Sequence, residues 1–420
     1  MLGDHGVAAG RPLAGQFTDL ISLGVLAGSV PREVVDTAVA VRGRGARRAG
    51  GKLPPHVMVY FAMALALFAD DDYEEVMVRL SQSLRSWGGW DGAWSVPTSG
   101  GITQARARLG AGPMVEVFEQ VAVPVADQLT AGAWLGPWRL MAIDGVDWDV
   151  PDTPGNVTEF GYAGAGGNHS AFPKARLVTV SECASHAVVA AAVGGANTAE
   201  QKLARTLYSG LQPDWLVLAD RNFYGFIDWT AASAGGAQLL WRVAASVTLP
   251  LLHTHPDGSY ASVVFRRWIA PGARKRLTEA ARRGEDLDPT QAVLVRVIEY
   301  TVPDRIGDGS TDPIVLITTI TDPRQAPAAQ LAAAYHQRWE HETGNDQLKT
   351  HLRGPGKVLR SRKPDTVRQE IYGYLLTHYA LSALICRAAT ESGVDPDRVK
   401  FLRTVRIVRR RVTDPAAFPP

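Results

Sequence analysis

Cysteine is almost missing: only Cys183 and Cys386 occur among 420 residues. Two isolated thiols make neither a disulfide framework nor a thiolate zinc site. His253 and His255 alternate as in a strand, yet no cysteine or third histidine accompanies them, so that pair does not point to zinc either. Long apolar runs are lacking too. The longest, residues 57–69, is too short to span a bilayer and fits a buried helix. No basic segment leads into an apolar core at the start, so no signal peptide is expected. A reducing, cytoplasmic setting without a membrane follows. Net charge is also scarce, at +2 from 44 Lys and Arg against 42 Asp and Glu. A surface for a polyanion must therefore come from local clustering.

Such clusters are present: Arg42, Arg44, Arg47, Arg48 and Lys52; Arg266, Arg267, Arg274, Lys275 and Arg276; Lys357, Arg360, Arg362 and Lys363; Arg406, Arg409, Arg410 and Arg411. Each alone reads as a solvated face or loop, but four of them in a near-neutral chain point toward nucleic acid. At 46% hydrophobic and 20% charged, the composition is that of folded domains. The length admits two or three of them.

Up to about residue 129 the pattern is helical. PHVMVYFAMALALF is an apolar helix opened by Pro54 and Pro55, and DYEEVMVRLSQSL follows a turn of three aspartates. In GITQARARLG, Thr103 is expected to cap a helix that presents Arg106 and Arg108 to a phosphate. From Trp138 the grammar changes to strand, hairpin, helix, strand, helix, strand: WRLMAID, then ARLVTVSE and HAVVAAAVGG, a helix over residues 198–209 capped by Asn197, WLVLAD, a helix closing on Gly235 and Gly236, and QLLWRV. That order predicts an α/β, ribonuclease-H-like core. Three further strand-like runs between residues 244 and 326 predict a β-rich insertion. The expected division is a helical domain over 1–132, core over 133–243, insertion over 244–326, core again over 327–395, and a basic tail over 396–420.

Asp144 and Asp220 each end an apolar run, which predicts two carboxylates side by side at one sheet edge. Two ionised carboxylates that close repel unless a cation bridges them. A third comes from the segment YHQRWEHETGNDQLK, where Arg338, Glu342 and Lys349 fall 3, 7 and 14 residues after Tyr335. On one continuous helix these four share a strip roughly 60° wide, at about 100° per residue. Glu340 projects about 160° from Glu342 and faces away. Asp346, one turn on, shares the face and stays open as an alternative. Asp147, Asp149 and Asp152 fall in an expected turn after Asp144. The GAGG stretch at residues 164–167 lacks the Gly-Lys-Ser/Thr ending of a phosphate loop. Three convergent carboxylates suit magnesium and a two-metal phosphoryl transfer.

These motifs resemble those of bacterial DDE transposases of the IS-four superfamily, with its Y-(2)-R-(3)-E-(6)-K signature at Tyr335, Arg338, Glu342 and Lys349. AIDGVDWDVPDTPGNVTEFG and LADRNFYGF resemble the family's two aspartate motifs, and LPPHVMVYFAMALALF, DDDYEEVMVRL and QARARLG its helical N-terminal domain. The resemblance implies catalysis and metal binding by Asp144, Asp220 and Glu342 with two magnesium or manganese ions. It implies DNA contacts by Tyr335, Arg338 and Lys349, to which Arg106, Arg108, Arg360 and Lys363 are added as candidates from the basic segments. Double-stranded DNA (terminal inverted repeats and target), a homodimer in the synaptic complex and a nucleoid location are implied as well. In hairpin-forming relatives an aromatic residue of the insertion holds a flipped base, which makes Trp241 and Trp268 candidates by location. Two other functions fit the same clusters: a non-catalytic end-binding repressor and a ribonuclease-H-like repair nuclease.

Overall fold

A computed structural model describes residues 24–46, 53–86, 95–164, 166–301 and 313–411. Arg47, Arg48, Lys52 and Ala165 of the motifs above lie outside the described residues. The chain divides into two compact units, one from Met1–Val123, Gln347–Leu384 and Lys400–Pro420, the other from Pro124–Asp346 and Ile385–Val399. These limits differ from the expected division, because the chain beyond residue 346 contributes to both units.

The first unit is helical. It holds α1 (Arg32–Val41), α2 (Pro55–Leu67), α3 (Tyr73–Ser86), α4 (Ser99–Leu109) and α5 (Gly112–Val121). In α2, every residue from His56 to Leu67 is buried, as expected of a helix apolar on all sides. Thr98, and not Thr103, caps α4, its hydroxyl accepting from Gly101 N at 3.3 Å. Thr103 sits one turn inside and bonds back to Ser99 O. Later in the chain, Thr377 donates to Met63 O at 2.9 Å, and a Cβ on Gly373 would lie 2.4 Å from Ala62 O. Glycine is thus required there for the backbones to touch.

Arg106 is only 2% exposed. Its guanidinium donates to Gln369 Oε1 at 2.8 Å, Ser361 Oγ at 3.0 Å, Thr366 O at 3.3 Å and Tyr73 OH at 2.5 Å. The expectation that Arg106 contacts DNA is therefore corrected: it is an internal strut with its donors already used. Arg360 is corrected likewise, since it donates to the carbonyls of Asp71, Leu65 and Phe68. Arg106→Ala should cost about 2–3 kcal/mol by leaving these acceptors unpaired in the interior. Urea unfolding without DNA checks this; a loss under about 1 kcal/mol would return Arg106 to the candidate DNA contacts.

The second unit is built on a ten-stranded mixed sheet. Its elements are β1 (Trp134–Leu135), β2 (Trp138–Asp149), α6 (Pro154–Phe160), β3 (Lys174–Glu182), β4 (Val188–Gly195), α7 (Glu200–Arg205), β5 (Trp215–Ala219), α8 (Phe226–Ser233), β6 (Gln238–Val243), β7 (His253–Thr254), β8 (Tyr260–Phe265), α9 (Pro271–Arg282), β9 (Ala292–Tyr300) and β10 (Ile314–Thr318). Then come α10 (Ala328–His336) and α11 (Arg338–Asp346). Beyond them lie a π-helical turn at Gln347–Leu352, α12 (Pro364–Glu391) and α13 (Phe401–Arg411).

Strand order is β4-β3-β2-β5-β6-β10-β9-β8-β7, with β1 beside β2. The antiparallel β4-β3-β2 ladder followed by parallel β2-β5 and β5-β6 is the ribonuclease-H-like arrangement. The β-rich segment does not form a sheet of its own: β10 pairs antiparallel with β6, so β7–β10 extend the same sheet. Alternation along β2 fixes the two faces. Met141 and Ile143 pack under Leu203 and Trp229 of α7 and α8, while Leu140 and Ala142 pack with Leu331 and Tyr335 of α10. No helix among the described residues is long and apolar enough to cross a membrane.

Candidate active site

The β2–β5 parallel pairing ends at Ile143↔Ala219. Asp144 and Asp220 are the next residues on these adjacent strands, at the carboxyl end where open α/β sheets place their ligands. The strand itself does not stop at Asp144. It continues to Asp149 against β3, so Asp147 and Asp149 lie on β2 and not in the expected turn. They are occupied by cross-strand cations, Arg176 Nε at 2.8 Å and Lys174 Nζ at 2.5 Å respectively.

Glu342 comes from α11. Arg338, one turn earlier, reaches Glu342 Oε1 with Nη2 at 2.9 Å and Asp144 Oδ2 with Nη1 at 3.8 Å. One guanidinium therefore spans the strand carboxylate and the helix carboxylate. Burial raises the Asp144 pKa, and Asp220 and Glu342 push it further; the Gly145 amide and Arg338 oppose them, and the result is about 6. Burial works against the charge on Arg338, but Tyr335, Glu342 and Asp144 outweigh it and raise its pKa. Asp220 Oδ1 accepts from Asn222 N at 2.5 Å, which fixes the carboxylate at the strand end. Asp220 and Glu342 both act on Asp144, a half-buried acid reluctant to ionise, and oxygen donors of this kind suit a hard divalent cation. Arg338 is the positive charge that stands between two of them here.

Tyr335 is not a surface phenol. It is 5% exposed, its hydroxyl donates to Ala219 O at 3.4 Å, and burial lifts its pKa to about 12. The expected DNA contact is corrected to a prop beneath the peptide preceding Asp220. Nor is the signature one continuous helix: Gln337 interrupts it between α10 and α11, and Lys349 lies on the π-helical turn. The equal-angle projection therefore does not apply over its full length. Lys349, Arg108 and Lys363 are exposed, and Asp346 closes α11, also exposed. Trp241 is fully buried, edge-on to Trp229 at 5.4 Å, and cannot receive a base. Trp268 is 84% exposed, with Arg267 lying 4.7 Å over its ring.

One carboxylate escaped the sequence reading. Glu200 opens α7, half-buried, its pKa raised by burial first, with Asp147 and Asp220 adding to it and Arg176 opposing. A Cβ on Gly145 would sit 2.7 Å from Glu200 Oε1, so the glycine after Asp144 makes room for that side chain. An acid in a first helical turn is commonplace, and nothing in its spacing sets Glu200 apart.

Residues 137–379, more than half of the chain, match the transposase DDE domain. The chain belongs to the DDE transposase family. Residues 20–119 also match the N-terminal region of insertion element 4 transposases. Among relatives, this transposase is 26% identical over 360 residues to the InsG transposase for insertion sequence element IS4 of Escherichia coli (strain K12), covering 86% of this chain and 76% of that one. It is 31% identical over 125 residues to the putative transposase InsZ of the same strain, covering 29% of this chain and 42% of that one. The solved piggyBac transposase synaptic complex with hairpin DNA aligns over 97% of this chain and 82% of that chain at 10% identity, with a TM-score of 0.46, too loose a likeness to bear on function. The protein is thus an insertion-sequence transposase, an enzyme of the DDE endonuclease and transferase type, and divalent-metal dependence comes with the family.

Proposed function

We propose that this transposase cleaves the 3′ ends of its own element at the terminal inverted repeats and joins the freed 3′-hydroxyls to target DNA. Asp144, Asp220 and Glu342 would hold two magnesium ions, for which manganese would substitute. When bound, such ions activate a water or a 3′-hydroxyl and stabilise the leaving oxygen. The carrying observation is that Asp144 and Asp220 directly follow the last parallel pair of β2 and β5, with Arg338 reaching both Asp144 and Glu342.

The chain's own groups have distinct tasks. Tyr335 props the β5 end, which orients Asp220. Arg338 neutralises Asp144 and Glu342 before metal enters and turns to a substrate phosphate afterwards, a bidentate role that suits guanidinium. Lys349, Arg108 and Lys363, all exposed, grip the DNA backbone. Trp268, exposed in the segment between β8 and α9, is the aromatic face available to a base flipped from the stack. The N-terminal helices bind the transposon end, and two chains pair the ends in a homodimeric complex on cytoplasmic, nucleoid DNA.

The test is nicking of the element's own end DNA in magnesium, beside an unrelated duplex of equal length. Strand cleavage at the 3′ end of the element alone, abolished by chelator, is the expected result. Equal cleavage of both duplexes would make the protein a general nuclease, and tight end binding without any cleavage a repressor.

A further inference from the structure

A second group of metal-binding side chains lies outside the aspartate–glutamate centre and within the same compact unit. His186 belongs to the tight turn joining β3 to β4, Glu340 to α11, and Asp397 to the single turn Pro396–Arg398. His186 Nε2 stands 3.2 Å from Glu340 Oε2 and 3.3 Å from Asp397 Oδ1. One donor atom from each residue falls within 4.8 Å of the other two. The imidazole is buried, whereas Glu340 and Asp397 are progressively more exposed, with side-chain exposures of 28% and 37%.

Protons satisfy this cluster poorly. Burial disfavours a charged His186, and Asp397 and Glu340 outweigh it, holding the imidazolium up to about pH 9, yet its one Nε2–H is shared between two acceptors and both separations exceed the roughly 2.7–2.9 Å of a charge-assisted bond. One imidazolium facing two carboxylates also leaves a net negative charge against a buried ring. A divalent cation with a neutral imidazole balances the charge and serves all three donors. The distances agree with that: a tetrahedral ion with bonds of about 2.0–2.1 Å has ligand–ligand edges of about 3.3 Å. The backbone is also specialised, because His186 takes φ of +58°, a left-handed conformation uncommon outside glycine.

We propose that His186, Glu340 and Asp397 form a second divalent-cation site, of zinc type, with water at the fourth position. Imidazole with two carboxylates favours zinc over magnesium, which takes oxygen ligands almost exclusively. Glu340 projects from α11 about 160° away from Glu342, so the ion does not compete for the catalytic carboxylate. Its role is to join the β3–β4 turn, α11 and the Asp397 turn, and so to fix from behind the helix that carries Glu342. The sequence hides the site because its ligands are far apart in the chain, His186 and Glu340 being separated by 154 residues.

The experiment uses full-length protein carrying Asp144→Asn, Asp220→Asn and Glu342→Gln, which removes the catalytic carboxylates as competing ligands. Zinc is titrated against a chromophoric chelator at pH 7.5, and thermal midpoints are recorded with and without zinc. One zinc per chain is expected, undisplaced by millimolar magnesium, together with a zinc-dependent rise in midpoint. Adding Asp397→Asn or, separately, Glu340→Gln should weaken zinc at least tenfold and remove that rise. Absence of stoichiometric zinc, or zinc binding unchanged in both variants, would overturn the proposal. DNA cleavage is not part of the readout, so this result is independent of the proposed reaction.

Discussion

Asp144→Asn is expected to slow metal-dependent nicking of end DNA by at least about 10³-fold, roughly 4 kcal/mol of barrier, and to make the metal-free protein more stable. Both effects have one origin. Burial and the neighbouring Asp220 and Glu342 charges hold the Asp144 pKa at about 6, above the ordinary 3.8. A carboxyl whose folded pKa is raised weakens the fold once the unfolded chain can ionise it while the folded chain still holds the proton. That cost develops as pH climbs from about 4 to 6 and is complete above 6. It corresponds to at most about 3 kcal/mol, since each pH unit is worth about 1.36 kcal/mol. Asparagine keeps the shape and removes the charge, so in chelator at pH 8 the variant should be the more stable by up to about that amount. The advantage should vanish below about pH 4. In the unsubstituted protein the proton must leave before metal enters, so magnesium affinity should fall about tenfold per pH unit below about 6. Urea unfolding in EDTA at several pH values, with nicking assays alongside, measures both. An Asp144→Asn protein that nicks normally, or one destabilised at pH 8, would contradict this account of the site.

That Asp144 and Asp220 would follow apolar runs lying side by side was readable in the sequence because the signals are local. An apolar run ending in a carboxylate marks where the β2–β5 parallel pairing stops, and the Tyr335–Lys349 spacing marks a helical stretch. The order of elements along the chain was readable for the same reason, since periodicity and turn residues mark each element in place. Contacts distant in the chain were not readable. Arg106 looks like any arginine after a helix start until Gln369, 263 residues later, accepts a hydrogen bond from its Nε–H. Tyr335 looks like part of a polar face until Ala219 supplies its acceptor. Angular projection assumes an unbroken helix, and no residue at Gln337 announces the interruption. The β-rich segment read as an insertion because composition cannot tell a new sheet from more of the old one; the β6–β10 register decides it. Glu200 was overlooked because its neighbour Gly145 lies on β2, 55 positions earlier in the chain.

Glu182→Leu should be the most damaging single change in the sheet-bearing unit, at about 3–5 kcal/mol. Glu182 is completely buried at the end of β3. Its Oε2 accepts from Val125 N at 3.1 Å, Ala126 N at 2.9 Å and Ser185 Oγ, while Oε1 is paired with Arg139. Arg139 in turn donates to Ala126 O at 2.7 Å and stacks 4.4 Å over Trp134. A leucine fills the volume but leaves two amides, a hydroxyl and a guanidinium without their acceptor. Removing one partner of a buried pair is costly for that reason, even where replacing the whole network is tolerated. The thermal midpoint should fall by roughly 10 °C, with Glu182→Gln intermediate because it keeps an acceptor oxygen without the charge. Ser185 anchors to Glu182 one residue before His186, so zinc affinity should fall in the same variant as the turn loosens. Scanning calorimetry and zinc titration on the two variants measure both effects. A leucine variant within about 1 kcal/mol of the parent would mean that the β3–β4 turn is held by its backbone alone.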